Sequence, residues 1–257
     1  MTRLTEAAAQ AAITASCREL LLPTIREEAA DLADQAAREK LSHRGFLAEV
    51  LAVEVEARQA RRRERRIHEA RFPRLKHLDD FDPAASPVSA ATIASLAAGA
   101  FIESGEPVVL LGDSGTGKSH LLIGLGVAAC QAGRRVRYQT AAALVNELAE
   151  ALTTRELSRV VGRYGRFDLL CLDEWGYLSL DSKGAELLFQ VLTEREERAS
   201  VALATNLPFS EWGQAFTDPR LAAAVVDRLT FRAHIIETGT ESYRLRLTKQ
   251  GKKGGKL

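Results

Sequence analysis

The sequence predicts an α/β fold, a parallel sheet flanked by helices, preceded by a small all-helical N-terminal domain. Three observations carry this. From about residue 107 onward, short apolar runs alternate with helical stretches. A glycine-rich loop joins the first of these runs directly to a helix. The first 70 residues instead place apolar side chains at helical spacing between charged positions.

The N-terminal part reads as helices because Leu32, Leu41, Phe46, Leu47, Val50, Leu51 and Val53 recur with that spacing. Only one side of each segment is apolar, so these helices must pack on one another or on a partner. Pro23 marks a helix break or a helix start, and residues 42–45 suit a turn. Residues 57–71 continue as one strongly basic helix, and Pro73, Pro83 and Pro87 mark an irregular connection. The expected organisation is a helical domain over 1–70, an α/β domain over 71–248, and a disordered basic tail over 249–257.

In the second domain, the runs 108–111, 136–138, 169–172, 201–204 and 234–236 read as buried strands. Helices are expected near 118–131, 141–152, 184–198 and 219–229.

Composition narrows the function classes. With 257 residues and 46% hydrophobic content, the chain can bury one sizeable core. Collagen-like, low-complexity and globally disordered classes are excluded. No apolar run approaches the roughly 18 residues that suggest a membrane span, and the N-terminus lacks a signal-peptide core. Cys17, Cys130 and Cys171 are far apart, which argues against a zinc site or disulfide framework and fits a cytoplasmic protein. The net charge of +1 conceals a pattern: 1–57 carries −4, 58–77 carries +7, 78–248 carries −6 and 249–257 carries +4.

The strongest motif is Gly112-Asp113-Ser114-Gly115-Thr116-Gly117-Lys118-Ser119. It matches a phosphate-binding loop in the context that loop requires, after a strand and before a helix. Backbone N–H groups freed by the glycines would curl around a β-phosphate, helped by the helix N-terminus. Lys118 would bridge the β- and γ-phosphates, and the Ser119 hydroxyl would ligate Mg²⁺. The nucleotide-binding stretch runs on to His120, a helix residue rather than a metal ligand.

Residues 169–172 deliver Asp173 and Glu174 at a strand's carboxyl end, where open α/β sheets bind ligands. Asp173 would hold Mg²⁺ through water. Glu174 would polarise the attacking water, as a general base or by orienting it. Asn206 ends the next strand, where it could contact the γ-phosphate or orient that water. ATP and Mg²⁺ are the expected ligands.

Duplex DNA is the expected partner of the basic run. Arg58, Arg61, Arg62, Arg63, Arg65 and Arg66, continued by Arg71, Arg74 and Lys76, cannot share one helix face. Arginine suits bidentate phosphate contacts, and the scarcity of aromatics disfavours single-strand stacking. Six phosphate contacts would give a salt slope of about −5.

The loop, the acid pair and the strand-terminal Asn resemble the additional-strand P-loop ATPases, the AAA+ group among them. Arg71-Phe72-Pro73, Leu78-Asp79-Asp80-Phe81-Asp82, Asp173-Glu174-Trp175-Gly176-Tyr177, Thr205-Asn206-Leu207-Pro208-Phe209 and Asp227-Arg228-Leu229 narrow it. In that order they resemble the IstB-like helper ATPases of insertion-sequence transposases, and are similar also to DnaC-type helicase loaders. The resemblance covers about 71–246.

The resemblance implies an ATP-dependent homo-oligomer that binds and deforms duplex DNA, presents it to the transposase of the same element, and is timed by ATP hydrolysis. It also implies an arginine finger supplied to a neighbouring subunit, Arg228 or alternatively Arg220. Arg244 would act as a second sensor of the nucleotide. Phe72, Leu78 and Phe81 would wall the adenine, plain core packing being the alternative. Rival readings are a helicase loader, a small-metabolite kinase and a nucleotide-gated scaffold.

Overall fold

The computed structural model describes residues 5–175, 182–216, 218–243 and 245. The chain divides into two compact units, Met1–Glu64 and Arg65–Leu257.

The first unit contains α1 (Glu6–Glu19), α2 (Pro23–Glu39) and most of α3 (His43–Ala70). Pro23 opens α2 at a position where a missing N–H costs nothing. Cys17, Ile25, Ala29 and Val50 form a small core, with Leu22, Leu32 and Phe46 packed against it. The division falls within α3, not at the 70/71 boundary expected from sequence. Ile67 and Ala70, in the last turns of that helix, pack into the core of the second unit.

A buried carboxylate organises the first unit. Glu54 is only 2% exposed, and its Oε2 accepts from the N–H groups of Thr24 and Ile25 at 2.9 and 3.1 Å. It therefore caps two orphan donors of α2. Its Oε1 accepts from Arg58 at 2.9 Å and Arg61 at 3.3 Å. Burial alone would raise the Glu54 pKa. The hydrogen bonds from Arg58, Ile25 and Thr24, with the Arg58 charge, outweigh it and hold the carboxyl below its ordinary 4.5.

A depressed carboxylate stabilises above its unfolded pKa, and that stability is lost as pH falls through the folded value. Glu54→Gln is therefore expected to cost about 2 kcal/mol at pH 7. Hydrogen exchange at the first turn of α2 should show lost protection at pH 7. The difference from the parent should vanish once acid has titrated Glu54.

In the second unit, the end of α3 is followed by α4 (Ala90–Ala97) and α5 (Ala100–Glu103). It continues as β1 (Val108–Leu111), α6 (Lys118–Gln131), β2 (Val136–Thr140), α7 (Ala141–Thr153) and α8 (Leu157–Tyr164). β3 (Leu169–Asp173), α9 (Ser182–Arg195), β4 (Ser200–Thr205), α10 (Pro219–Thr230) and β5 (His234–Glu237) complete it. The five strands are parallel in the order β2-β3-β4-β1-β5. All their carboxyl ends therefore share one edge, and β4 separates β1 from β3.

The three central strands β3, β4 and β1 read as continuous apolar runs because the sheet is covered there on both faces. Val109, Leu170, Leu172, Val201 and Leu203 face the core built with α7, α8, α9 and α10. Val108, Leu110, Leu169, Cys171, Ala202 and Ala204 face the core built on α6. All three cysteines are buried thiols. Burial pushes the Cys130 thiol up to about 12, and burial likewise raises Cys171.

One charged side chain lies fully inside. Arg195 is 1% exposed and donates to the carbonyls of Tyr164 and Ser200, joining the ends of α8 and α9 to β4. Burial lowers its pKa to about 10. The guanidinium there replaces missing backbone donors.

Candidate nucleotide site at the carboxyl edge of the sheet

β1 delivers the glycine-rich loop to the sheet's carboxyl edge, and α6 begins at Lys118. Gly117 has φ of +101°, a region that side chains rarely enter, and a Cβ there would lie 2.7 Å from Phe81 Cε2. The loop is clamped from the far side of the sheet edge. Asp113 N–H donates to the Gly239 carbonyl at 3.0 Å, and Tyr243 N–H to Gly115 at 3.0 Å. The Thr116 and Thr238 hydroxyls are 2.7 Å apart. Lys118 Nζ donates to the Gly112 and Asp113 carbonyls at 2.7 and 2.6 Å, which seats its ammonium on the loop's rim.

Asp173, 6% exposed, ends β3. Its Oδ2 accepts from the Tyr138 hydroxyl at 2.7 Å, and its Oδ1 from the Glu174 N–H at 2.8 Å. Burial and the adjacent Asp173 charge raise the Tyr138 pKa, so this phenol stays a donor. Glu174 is exposed and takes φ of +59°. A left-handed non-glycine residue beside a ligand edge is a place where the fold holds strain. Trp175 supplies the anchorage: it is 1% exposed and packs on Trp212 with ring centroids 5.3 Å apart. Trp212 in turn donates to the Leu207 carbonyl at 3.0 Å. The turns bearing Glu174 and Asn206 are thus fastened to each other.

Asn206 follows β4. The register Leu111↔Thr205, with Gly112 N–H donating to Thr205 O, sets it beside the start of the loop. Its Oδ1 is buried without a hydrogen-bond partner, an acceptor that calls for a donor such as water. Loop, Asp173, Glu174 and Asn206 therefore all lie at the carboxyl edge of the sheet, at the ends of β1, β3 and β4. The donor set fits a nucleotide polyphosphate, and Ser119 and Asp173 are the oxygen ligands that a hard divalent cation takes.

The remaining expected residues lie elsewhere. Arg228 Nε pairs with Glu196 at 2.9 Å, and its guanidinium stacks over Phe189, 4.3 Å from the ring centroid. It lines a cavity of 240 Å³ with Gly105, Glu106 and Val201, at the amino edge of the sheet. From there it cannot reach its own chain's loop. Arg220 is exposed in the first turn of α10, and its guanidinium pairs with no described residue. Arg244 lies outside the described residues.

On α3, Arg58 and Arg61 are engaged by Glu54. Arg62, Arg63 and Arg65 are exposed, and Arg66 is half-buried. Phe72 and Leu78 pack on Gly126 and Gly124 of α6 as core residues. Phe81 lines a small cavity with Asp82, Ser86, Thr116 and Tyr243. His120 Nε2 lies 2.9 Å from the His77 carbonyl, and its ring meets Phe81 edge-on. Sequence reasoning missed Tyr138 and Thr238. The signal for Tyr138 was its period of two with Thr140, which pairs with Asp173.

A parallel sheet with an extra strand between the loop strand and the acid-bearing strand defines the additional-strand P-loop class, the AAA+ fold. Solved structures share it. AMPPCP-bound DnaA from Aquifex aeolicus matches with a TM-score of 0.54 at 22% identity, over 71% of this chain and 56% of that one. This chain thus spans little more than half the length of that DnaA. The DnaC helicase loader matches with a TM-score of 0.53 at 16% identity, over 63% of this chain and 96% of the loader.

The chain belongs to the family of IstB-like ATP binding proteins of IS21-type insertion sequences, whose family model matches residues 15–251. A Pseudomonas aeruginosa protein of insertion sequence IS21, named for ATP binding, is 39% identical over 88% of this chain and 84% of its own length. Among the described residues, no helix is long and apolar enough to cross a membrane.

Proposed function

We propose that the chain binds and hydrolyses ATP, assembles on duplex DNA as a homo-oligomer, and presents that DNA to the transposase of its insertion sequence. The observation that carries this reading is the placement of the phosphate loop, Asp173, Glu174 and Asn206 along one carboxyl edge of the sheet, in a chain of this family. Lys118 and the loop N–H groups bind the phosphates. Ser119 and Asp173 would hold Mg²⁺, which neutralises charge on the β- and γ-phosphate oxygens. Glu174 accepts a proton from, or orients, the attacking water, and the orphan Asn206 oxygen holds that water in line.

The position of Arg228 at the opposite edge of the sheet supports a role in a neighbouring copy's site, after release from Glu196. Turnover per chain then rises with protein concentration. Arg62, Arg63, Arg65 and Arg66 are the DNA-contacting set, since Arg58 and Arg61 serve Glu54. Four contacts give a salt slope of about −4.

Fluorescence anisotropy of a labelled duplex of random sequence, titrated in ATP, in ADP and without nucleotide, tests the reading. Tight binding only in ATP, with that slope, is expected. Binding indifferent to nucleotide, or absent, would overturn it and favour a protein partner such as a helicase.

A further inference from the structure

The basic run of the sequence is split by the fold, and its last two members stand over the phosphate loop. A cavity of 340 Å³ is lined by Gly115, Gly117, Lys118 and Ser119 of the loop together with Arg74 and Lys76. That volume belongs to the size class of small-ligand pockets, about 300–1,000 Å³. Among the described residues, no carboxylate lines it. The nearby acids Asp80 and Asp82 instead line the smaller cavity that contains Phe81. Neither Arg74 nor Lys76 forms an ion pair with a described residue, whereas Arg65 pairs with Glu69 at 3.7 Å. Arg74 and Lys76 add two positive charges to the cavity that holds the loop, and a polyanion bound there relieves their repulsion.

The placement of these two residues is built in. Phe72 lies against Gly126 and Leu78 against Gly124, so the segment is pinned to α6 on either side of Arg74 and Lys76. His77 adds a third tie, its carbonyl 2.9 Å from His120 Nε2 in the first turn of that helix. The strap is thus fixed to the same helix whose N-terminus is Lys118.

We propose that Arg74 and Lys76 bind the terminal phosphates of the nucleotide held by their own chain and set its preference for triphosphate over diphosphate. This rests on the nucleotide reading above. The continuity of charge from α3 to Lys76 is then misleading: the run serves Glu54 at its start, DNA in its middle and the nucleotide at its end.

Titration of the full-length protein with N-methylanthraniloyl ATP and ADP tests this on Arg74→Gln, Lys76→Gln and Lys118→Ala. Each glutamine variant should lose about tenfold in ATP affinity and clearly less in ADP affinity. Lys76→Arg should keep most of the preference. Retained ADP binding reports a folded site. Duplex binding at saturating ATP should keep its salt slope. Unchanged ATP affinity with a slope reduced by about one per residue would overturn the proposal and give these cations to DNA. Should Lys118→Ala also leave ATP affinity unchanged, the nucleotide reading itself would fall, and this inference with it.

Discussion

Glu174→Gln should lower ATP turnover by about 10²–10⁴-fold, the usual contribution of a positioned acid–base group. ATP affinity should stay within about twofold, because the amide keeps the carboxylate's shape and only the acid–base function is lost. The turn geometry supports this selectivity. The Glu174 N–H is committed to Asp173, and Trp175 is buried against Trp212, so the backbone at φ +59° does not depend on the Glu174 carboxyl. Single-turnover hydrolysis together with fluorescent ATP binding separates the two quantities. Turnover near the parent's would remove Glu174 from the reaction. Matching losses of affinity and turnover would make it a binding residue instead.

Lys118→Ala should weaken ATP binding by roughly 30- to 700-fold, corresponding to about 2–4 kcal/mol for truncating one partner of a desolvated charge pair. Two effects add. The cation that meets the phosphates is gone, and the carbonyls of Gly112 and Asp113 lose the donor that holds them together. Lys118→Arg keeps the charge but not the compact ammonium, so it should recover only part of the affinity. Calorimetric titration with ATP checks both variants, and near-parental affinity in Lys118→Ala would contradict the loop assignment.

Much of the fold could be read from the chain. The apolar runs at 108–111 and 169–172 are strands because both their faces are covered, which removes the ambiguity of alternation. The loop between β1 and α6 and the position of Asp173-Glu174 at the end of β3 were legible because such residue types mark the ends of buried strands. Residues whose role depends on distant partners were less legible. Arg195 looks like the solvated end of a helix, yet it is buried to satisfy Tyr164 and Ser200, and α9 stops with it rather than at 198.

Arg58 and Arg61 count as surface charge in any tally. The fold spends them on Glu54, although the four-residue spacing from Glu54 to Arg58 was a visible hint. The short helices α4, α5 and α8 escaped notice because eight residues or fewer give too little periodicity to register.

The buried thiols give this chain a clock. A thiolate is the species that reacts with alkylating reagents, and burial suppresses it at Cys130 and Cys171. Cys171 sits in the middle of β3, with its Sγ 3.9 Å from the Leu122 carbonyl. A reagent can reach it only when sheet and α6 part. The rate of its modification therefore counts excursions of the core rather than events at the surface. A ligand that binds the closed core slows that rate in proportion to its occupancy, so the ticking of one cysteine reads nucleotide binding without any label on the nucleotide.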